Sequence, residues 1–260
     1  MSVLEQILAR KRQRVESAKG RVPLESLRAT VDAQRPATHR LLTSIQRDGI
    51  NIIAEYKRRS PSKGIIRADV DVETMVQNYE IGGAAAISVV TEEDYFSGSL
   101  DDLKRVRSTV ELPVLRKDFV FDPYQIYEAV AAGANAVLLI VAALADNQLV
   151  ELRTLAEDEL GIDALVEVHD AAEMERAAQC GAQLIGVNNR NLHTFEVTLE
   201  TSLQLSTLAP PTATLVSESG LNTSDDLSML AEVGYRGFLI GETLMRSDDP
   251  ARLLQDLAGS

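Results

Sequence analysis

Asp122-Pro123-Tyr124-Gln125-Ile126-Tyr127-Glu128-Ala129-Val130-Ala131-Ala132-Gly133-Ala134-Asn135-Ala136-Val137-Leu138-Leu139-Ile140-Val141 holds one complete helix–turn–strand unit. Asp122 is a helix cap. Pro123 takes the first helical position, where its missing N–H costs nothing, and Gln125 is placed to reach back to the cap. Gly133 follows the apolar helical face and accepts the left-handed turn that closes it. The run Ala136 to Val141 is apolar on both faces, as strands are when helices cover a parallel sheet on both sides.

The same unit recurs in both directions. Apolar runs begin near Asn51, Ala85, Pro113, Ala136, Asp163, Leu184, Thr214 and Gly237, spaced 21 to 34 residues apart. Gly83-Ala84, Gly181-Ala182 and Gly234-Tyr235 repeat the helix ending, and Asp170-Ala171-Ala172-Glu173 repeats the capped start. Eight such units without a long linker or low-complexity segment predict an α/β protein, a (β/α)8 TIM barrel with an N-terminal helical extension. A doubly wound open sheet is the alternative, but no G-x-G-x-x-G follows the first strand.

The extension is residues 1–47 and the barrel 48–260, in a single structural domain. Ser2-Val3-Leu4-Glu5 is a capping box opening an amphipathic helix, with Val3, Leu4, Ile7 and Leu8 on one stripe. It reads as a structural extension. It has no long apolar segment and no small-residue cleavage site, so it does not read as a secretory signal. A structural helix also fits it better than an Arg-rich transit peptide.

Composition narrows the function. Of 260 residues, 45% are hydrophobic, which is ordinary for a globular protein. The longest apolar run, Ala136 to Ala145, falls well short of the roughly 18 residues of a membrane span. A single cysteine, Cys180, excludes an internal disulfide and a cysteine-built zinc site. It ends the helical run from Met174 and reads as a small core residue. The net charge of −13 argues against bulk nucleic-acid binding. Residues 1–50 nevertheless carry +5 and the remainder −18. The expectation is a cytoplasmic protein, a monomer rather than an oligomer, with a small-molecule partner and neither nucleic acid nor membrane.

In such a barrel the chemistry sits where the strands end. Those ends read Glu55-Tyr56-Lys57, Arg116-Lys117-Asp118-Phe119, Glu167-Val168-His169, Asn188-Asn189-Arg190, Glu218-Ser219-Gly220 and Gly241-Glu242. Any one of these is accounted for by a strand meeting solvent. As a set, Glu55, Lys57, Lys117, Glu167 and Asn188 converge on one mouth. Two ammonium groups facing two carboxylates there shift one another's pKa values and ready them for proton transfer.

Ser219-Gly220 and Gly241-Glu242 occupy the loops after the last two strands, where barrels commonly hold phosphate. Glu242 would offer its backbone N–H with its carboxylate turned away. A valine at 241 is expected mainly to weaken substrate binding by crowding the phosphate. The loop from Lys57 to Gly64, continuing to Arg67, has five basic residues in eleven and is suited to close over an anion. His39, His169 and His193 show no paired metal spacing and read as surface or structural. Glu55, Glu167 and Glu218 could hold a divalent ion, but nearby lysines already balance that charge, so no metal is expected. Ser219 has no His and Asp partners for a triad.

Together these segments resemble indole-3-glycerol phosphate synthase. The resemblance is carried by Ala54-Glu55-Tyr56-Lys57-Arg58-Arg59-Ser60-Pro61-Ser62, Thr91 to Gly98, Arg116-Lys117-Asp118-Phe119, Gly186 to Leu192, Ser217-Glu218-Ser219-Gly220 and Leu239 to Arg246. It runs in order from about residue 3 to residue 250, and the family's extra helices imply that the extension packs on the barrel mouth. It implies a carbon–carbon lyase (a carboxy-lyase) of tryptophan biosynthesis, working without a cofactor on 1-(o-carboxyphenylamino)-1-deoxyribulose 5-phosphate. By resemblance Lys117 is the general acid, Glu167 and Lys57 share the remaining proton transfers, and Glu55 and Asn188 orient them. Ser60, Ser219, Gly220, Gly241 and Glu242 would form the phosphate site, with Lys57 nearby. Phe96, Phe119, Leu138, Leu192 and Ile240 would wall a slot for the aromatic ring. Arg190 would pair with the substrate carboxylate or stack on the ring. The rivals are a Schiff-base aldolase using Lys117 and a non-catalytic barrel that binds a phosphorylated metabolite.

Overall fold

The computed structural model describes residues 2–33, 38–192 and 194–259. Eight parallel strands close into a barrel: β1 (Asn51–Tyr56), β2 (Ala86–Val90), β3 (Val114–Lys117), β4 (Ala136–Ile140), β5 (Asp163–Val168), β6 (Leu184–Asn188), β7 (Thr214–Glu218) and β8 (Tyr235–Ile240). Each strand pairs with its sequence neighbours, and β1 closes the ring against β8, Asn51 opposite Gly237. Around it run α4 (Val72–Ile81), α5 (Leu100–Thr109), α6 (Pro123–Ala131), α7 (Asp146–Thr154), α8 (Ala171–Gln179), α9 (Glu200–Ser206), α10 (Ser224–Glu232) and α12 (Pro250–Ala258). The short α11 (Glu242–Arg246) follows β8 directly. Among the described residues no helix is long and apolar enough to cross a membrane.

Side chains alternate across a strand, so every second residue faces the barrel axis. Ile53, Leu115, Leu165 and Val216, from the alternate strands β1, β3, β5 and β7, belong to the inner core. Two residues further along those strands the inward positions carry Glu55, Lys117, Glu167 and Glu218. A layer of four charged side chains thus lies on a hydrocarbon floor, in the alternate-strand layering of this fold. The outward residues, among them Ile52, Val166 and Val187, join the core beneath the helices.

Local signals set the helix ends. Asp122 accepts from the Tyr124 N–H at 2.9 Å, and Gln125 Oε1 accepts from the Asp122 N–H at 3.2 Å. Gly133 adopts φ +92° where α6 hands over to β4. Asp170 caps α8 as expected, but the Glu173 carboxylate reaches past the cap to the His169 N–H. The last strand begins at Tyr235 rather than near Gly237. A bulge in its pairing with β7 leaves Arg236 exposed, and that one charged residue hides the strand's start.

The extension serves both ends of the barrel. Val3, Leu4 and Ile7 of α1 (Val3–Arg21) border the mouth. Lys11, only 3% exposed, ties α1 down through Glu93 at 2.8 Å and Asp118 at 2.8 Å. Arg14–Asp94 and Lys19–Asp122 flank it. The next helix, α2 (Leu24–Ala33), runs against α6. By contrast α3 (Arg40–Ile45) lies at the opposite end, where Leu41 and Ile45 enter the inner core. Asp163, at the start of β5, accepts from the backbone N–H groups of Leu41 and Leu42 at 2.8 and 3.0 Å. The expectation that the whole extension packs on the mouth is therefore corrected: α3 plugs the floor. His39 Nδ1 lies 2.9 Å from Asp163 in the same clasp, and His193 lies outside the described residues.

Candidate active site

A cavity of about 840 Å³ opens at the strand ends, and its base is the charged layer. Lys117 Nζ lies between two carboxylates, 3.2 Å from Glu167 Oε2 and in close contact with Glu218 Oε2. Burial alone depresses an ammonium, but Glu218, Glu167 and Glu55 outweigh it and hold the Lys117 pKa well above the usual lysine value. Lys117 is therefore a cation with hydrogen-bonded carboxylates on both sides. Lys57 pairs with Glu55 at 2.5 Å on the adjoining wall.

The two carboxylates beside Lys117 are not alike. Burial favours the neutral acid in both. For Glu167 the charges of Lys117 and His169, aided by the neighbouring Asn188 amide, override burial and hold the carboxyl well below its ordinary range. For Glu218 burial wins: Lys117 offsets it only in part and Glu167 adds repulsion, so the carboxyl is pushed up to about 7. Its Oε1 is buried without a hydrogen-bond partner among the described residues, in the gap left where Gly186 has no side chain.

Every site residue named from the sequence borders this cavity: Glu55, Lys57, Lys117, Glu167 and Asn188 at its base, and Ser60, Phe96, Phe119, Leu138, Arg190, Leu192, Ser219, Gly220, Ile240, Gly241 and Glu242 around it. The Phe96 and Phe119 rings face one another across 6.2 Å, tilted by 43°. Both are set by buried acids. Glu92 accepts from the Tyr95 and Phe96 N–H groups at 2.7 and 3.1 Å, and Asp118 accepts from the Phe119 N–H at 2.8 Å. Asn188 Oδ1 accepts from the Ser219 hydroxyl and the Arg190 N–H, each at 3.0 Å. Ser219 and Gly220 both have positive φ, +67° and +81°, and form a tight backbone turn beside the cavity. The Glu242 carboxylate turns back to Arg246 at 3.1 Å. The Ile240 side chain packs in the outer core, whereas Leu239 joins Leu138 and Ile140 inside. Both Leu239 and Ile240 border the cavity.

The basic loop is only partly available. It forms a small hairpin, Arg59–Ser60 against Gly64–Ile65. Arg58 is bidentate to Asp102 at 2.6 and 2.8 Å and lies over the Tyr56 ring, while Arg67 binds backbone carbonyls of Met245 and Ser247. Of the five basic residues, Lys57 and Lys63 border the cavity.

The sequence reading left two participants out of the site. Glu218 figured only as a strand end and a metal candidate, although its inward alternation on β7 matches that of Glu167 on β5. His169, expected at the surface or in a structural role, lies against Glu167 with its side chain 10% exposed. Of the three glutamates weighed as metal ligands, Glu167 and Glu218 contact Lys117 and Glu55 pairs with Lys57. The acidic trio Glu92, Glu93 and Asp94 is likewise engaged by backbone N–H groups, Lys11 and Arg14.

The sequence profile of indole-3-glycerol phosphate synthase matches residues 4–257. The chain belongs to this family. Indole-3-glycerol phosphate synthases of Carboxydothermus hydrogenoformans and Verminephrobacter eiseniae are 46% and 44% identical to it, over 98% of both chains in each case. That of Koribacter versatilis is 52% identical over 81% of each chain. Among solved structures, 3-hexulose-6-phosphate synthase from Salmonella typhimurium superposes with a TM-score of 0.65 at 14% identity, covering 81% of this chain and 97% of that one. Thiamine phosphate pyrophosphorylase from Pyrococcus furiosus gives 0.60 at 17%, covering 80% and 93%. At such identities these two share the family's barrel fold and no more.

Proposed function

We propose that this chain is an indole-3-glycerol phosphate synthase, a carboxy-lyase of tryptophan biosynthesis. It converts 1-(o-carboxyphenylamino)-1-deoxyribulose 5-phosphate to indole-3-glycerol phosphate, carbon dioxide and water. The observation that carries the site assignment is Lys117, a cation buried between Glu167 and Glu218 at the base of a cavity with an apolar wall.

The steps follow from the charges. As the ring carbon bearing the carboxylate attacks the ketone carbon, negative charge grows on the ketone oxygen, and Lys117 delivers its proton there. The carboxylate then departs as carbon dioxide, its electron pair restoring the aromatic ring. A dry cavity favours this, because charge is lost from the departing group. In the dehydration Glu167, held as a carboxylate, takes the proton from the carbon beside nitrogen. Lys57, oriented by Glu55, protonates the departing hydroxyl. Two protons are given and one is recovered, so each turnover takes up one proton from solvent.

Ser60, Ser219, Gly220, Gly241 and the Glu242 N–H hold the phosphate, with Lys57 close by. Phe96, Phe119, Leu138 and Leu192 hold the aromatic ring, and Arg190 faces the substrate carboxylate. Asn188 orients Glu167 and the substrate hydroxyls. Each proton transfer has a side chain of this protein to perform it, so the mechanism calls on no metal or cofactor. Residues 1–47 and 48–260 act as one unit, a cytoplasmic monomer whose partner is its small phosphorylated substrate.

The test is direct. Purified protein, with EDTA present, is mixed with 1-(o-carboxyphenylamino)-1-deoxyribulose 5-phosphate and indole fluorescence is followed. Turnover is expected. A folded protein that binds this substrate without turnover would leave the binding-barrel alternative standing. Borohydride trapping of an adduct with a sugar phosphate would favour the Schiff-base alternative.

A further inference from the structure

Three residues at the end of β5 and the start of α8 form a charge chain leading away from the reacting lysine. Glu167 Oε2 faces Lys117 at 3.2 Å, while its other oxygen, Oε1, lies 3.3 Å from His169 Nε2. The Nε2 N–H points off the hydrogen-bond line, so this contact is chiefly one of charge. On the far side of the ring Nδ1 meets Glu173 Oε2 at 2.9 Å, and the same oxygen accepts the His169 backbone N–H at 2.8 Å. The first turn of α8 thus holds the imidazole by two atoms. Its side chain is 10% exposed.

We propose that His169 is a positioning residue for the reaction: it makes Glu167, and not Glu218, the carboxylate beside Lys117 that stays ionised. The proposal rests on the assignment of Lys117 and Glu167 as a reacting acid and base.

The two glutamates have comparable surroundings otherwise. Both are buried and both contact Lys117, and Glu218 feels the charge of Glu167. Glu55, on β1, acts on Lys117 and on Glu218, and is itself paired with Lys57. Asn188, on β6, adds only a neutral amide near Glu167. What distinguishes the pair is a second cation. Glu167 has the imidazolium, kept charged by Glu167 and Glu173 against burial and raised to about 10. Glu218 has in that place an oxygen with no hydrogen-bond partner among the described residues. Neighbouring acids whose environments push their pKa values apart divide into a base and a proton holder. A base that must collect a proton from carbon is useful only if it enters each turnover empty, and His169 secures that.

The experiment compares His169→Gln and His169→Lys with the wild type in kcat and KM against pH, with Lys117→Met alongside. Gln keeps a donor without the charge, and Lys keeps a cation. In His169→Gln the two carboxylates share the proton. The inflection near pH 7 in kcat is then expected to move upward by about one unit, within the 1–3 units that one opposite charge exerts. Its kcat is expected to fall on the order of tenfold, less than the roughly 10²–10⁴ of a whole acid or base, with KM within about twofold. His169→Lys is expected to return the inflection toward its wild-type place. If His169→Gln keeps both kcat and the inflection, the proposal is overturned. A fall in kcat with the inflection unmoved also overturns it, since the ring is then only packing. Should the Gln variant not fold, His169→Asn carries the same comparison. Near-normal turnover by Lys117→Met would instead remove the assignment beneath it, an outcome the His169 profiles cannot produce.

Discussion

Glu55 Oε1 occupies the space in which a side chain on residue 241 would begin: a Cβ built on Gly241 lies 2.5 Å from it. The glycine at the end of β8 therefore makes room for a carboxylate on the neighbouring strand, in addition to any approach it gives a phosphate. Glu55 is in turn the partner that fixes Lys57. Gly241→Val is accordingly expected to lower kcat on the order of tenfold, by releasing Lys57 from its partner, as well as to raise KM. Steady-state kinetics separate the two effects. An unchanged kcat with a raised KM would restore the binding-only expectation drawn from the sequence.

Lys117→Met should lower kcat by at least roughly 10² while circular dichroism stays native. The same substitution has a signature in stability. Without the ammonium, the buried Glu167 and Glu218 carboxyls both move up above their unfolded values. A group raised in this way contributes stability that is present at low pH and lost as pH rises. The variant's melting temperature, relative to wild type, should therefore be lower at pH 8 than at pH 6. Parallel melts that shift equally at both pH values would count against the charge layer.

Glu218, pushed up to about 7 by burial, should be visible in both activity and stability. Its folded-state pKa lies above the unfolded one, so its contribution is complete below the ordinary carboxyl value and disappears as pH rises through about 7. Glu218→Gln is expected to abolish an inflection near pH 7 in kcat and to flatten stability over the same range. A wild-type profile in that variant would assign the titration to another group.

Lys11→Met tests the seam between α1 and the barrel. It leaves Asp118 buried, with Arg116 as its remaining ionic partner among the described residues. Removing one member of a buried pair costs about 3–5 kcal/mol, which urea denaturation would register. In the wild type, burial would raise Asp118, but Lys11 and Arg116 hold it down to about 2. Its contribution is therefore present above the ordinary carboxylate value and lost as pH falls toward 2. The variant should keep less of that dependence. A loss below about 1 kcal/mol, in the range of an exposed pair, would show that Arg116 suffices.

What was legible in the sequence was local. The Asp122 to Gln125 cap, the glycine endings and the apolar runs are each contained in a few residues, and the barrel follows from their repetition. Glu55, Lys57, Lys117, Glu167 and Asn188 were readable because strand ends share one face of this fold. Glu218 ends a strand in the same way, but its contact with Lys117 crosses the barrel, and 101 residues separate the two. The fate of Arg58 was hidden for the same reason, since Asp102 lies 44 residues on. His169 adjoins Glu167 in sequence, yet its role depends on Glu173 turning past the cap that its spacing suggested. In α3 the pair Leu41 and Ile45 is too short a pattern to reveal which end of the barrel it enters.

The extension has a consequence for how the chain comes into being on a ribosome. Lys11 finds its partners at residues 93 and 118, Lys19 at 122, and α3 its anchor at 163. The first strand cannot close against its neighbour until residue 240 has emerged. The residues of the extension are thus translated well before those that hold them. Their excess of positive charge keeps that waiting segment hydrated and self-repelling until the acidic remainder of the chain arrives to receive it.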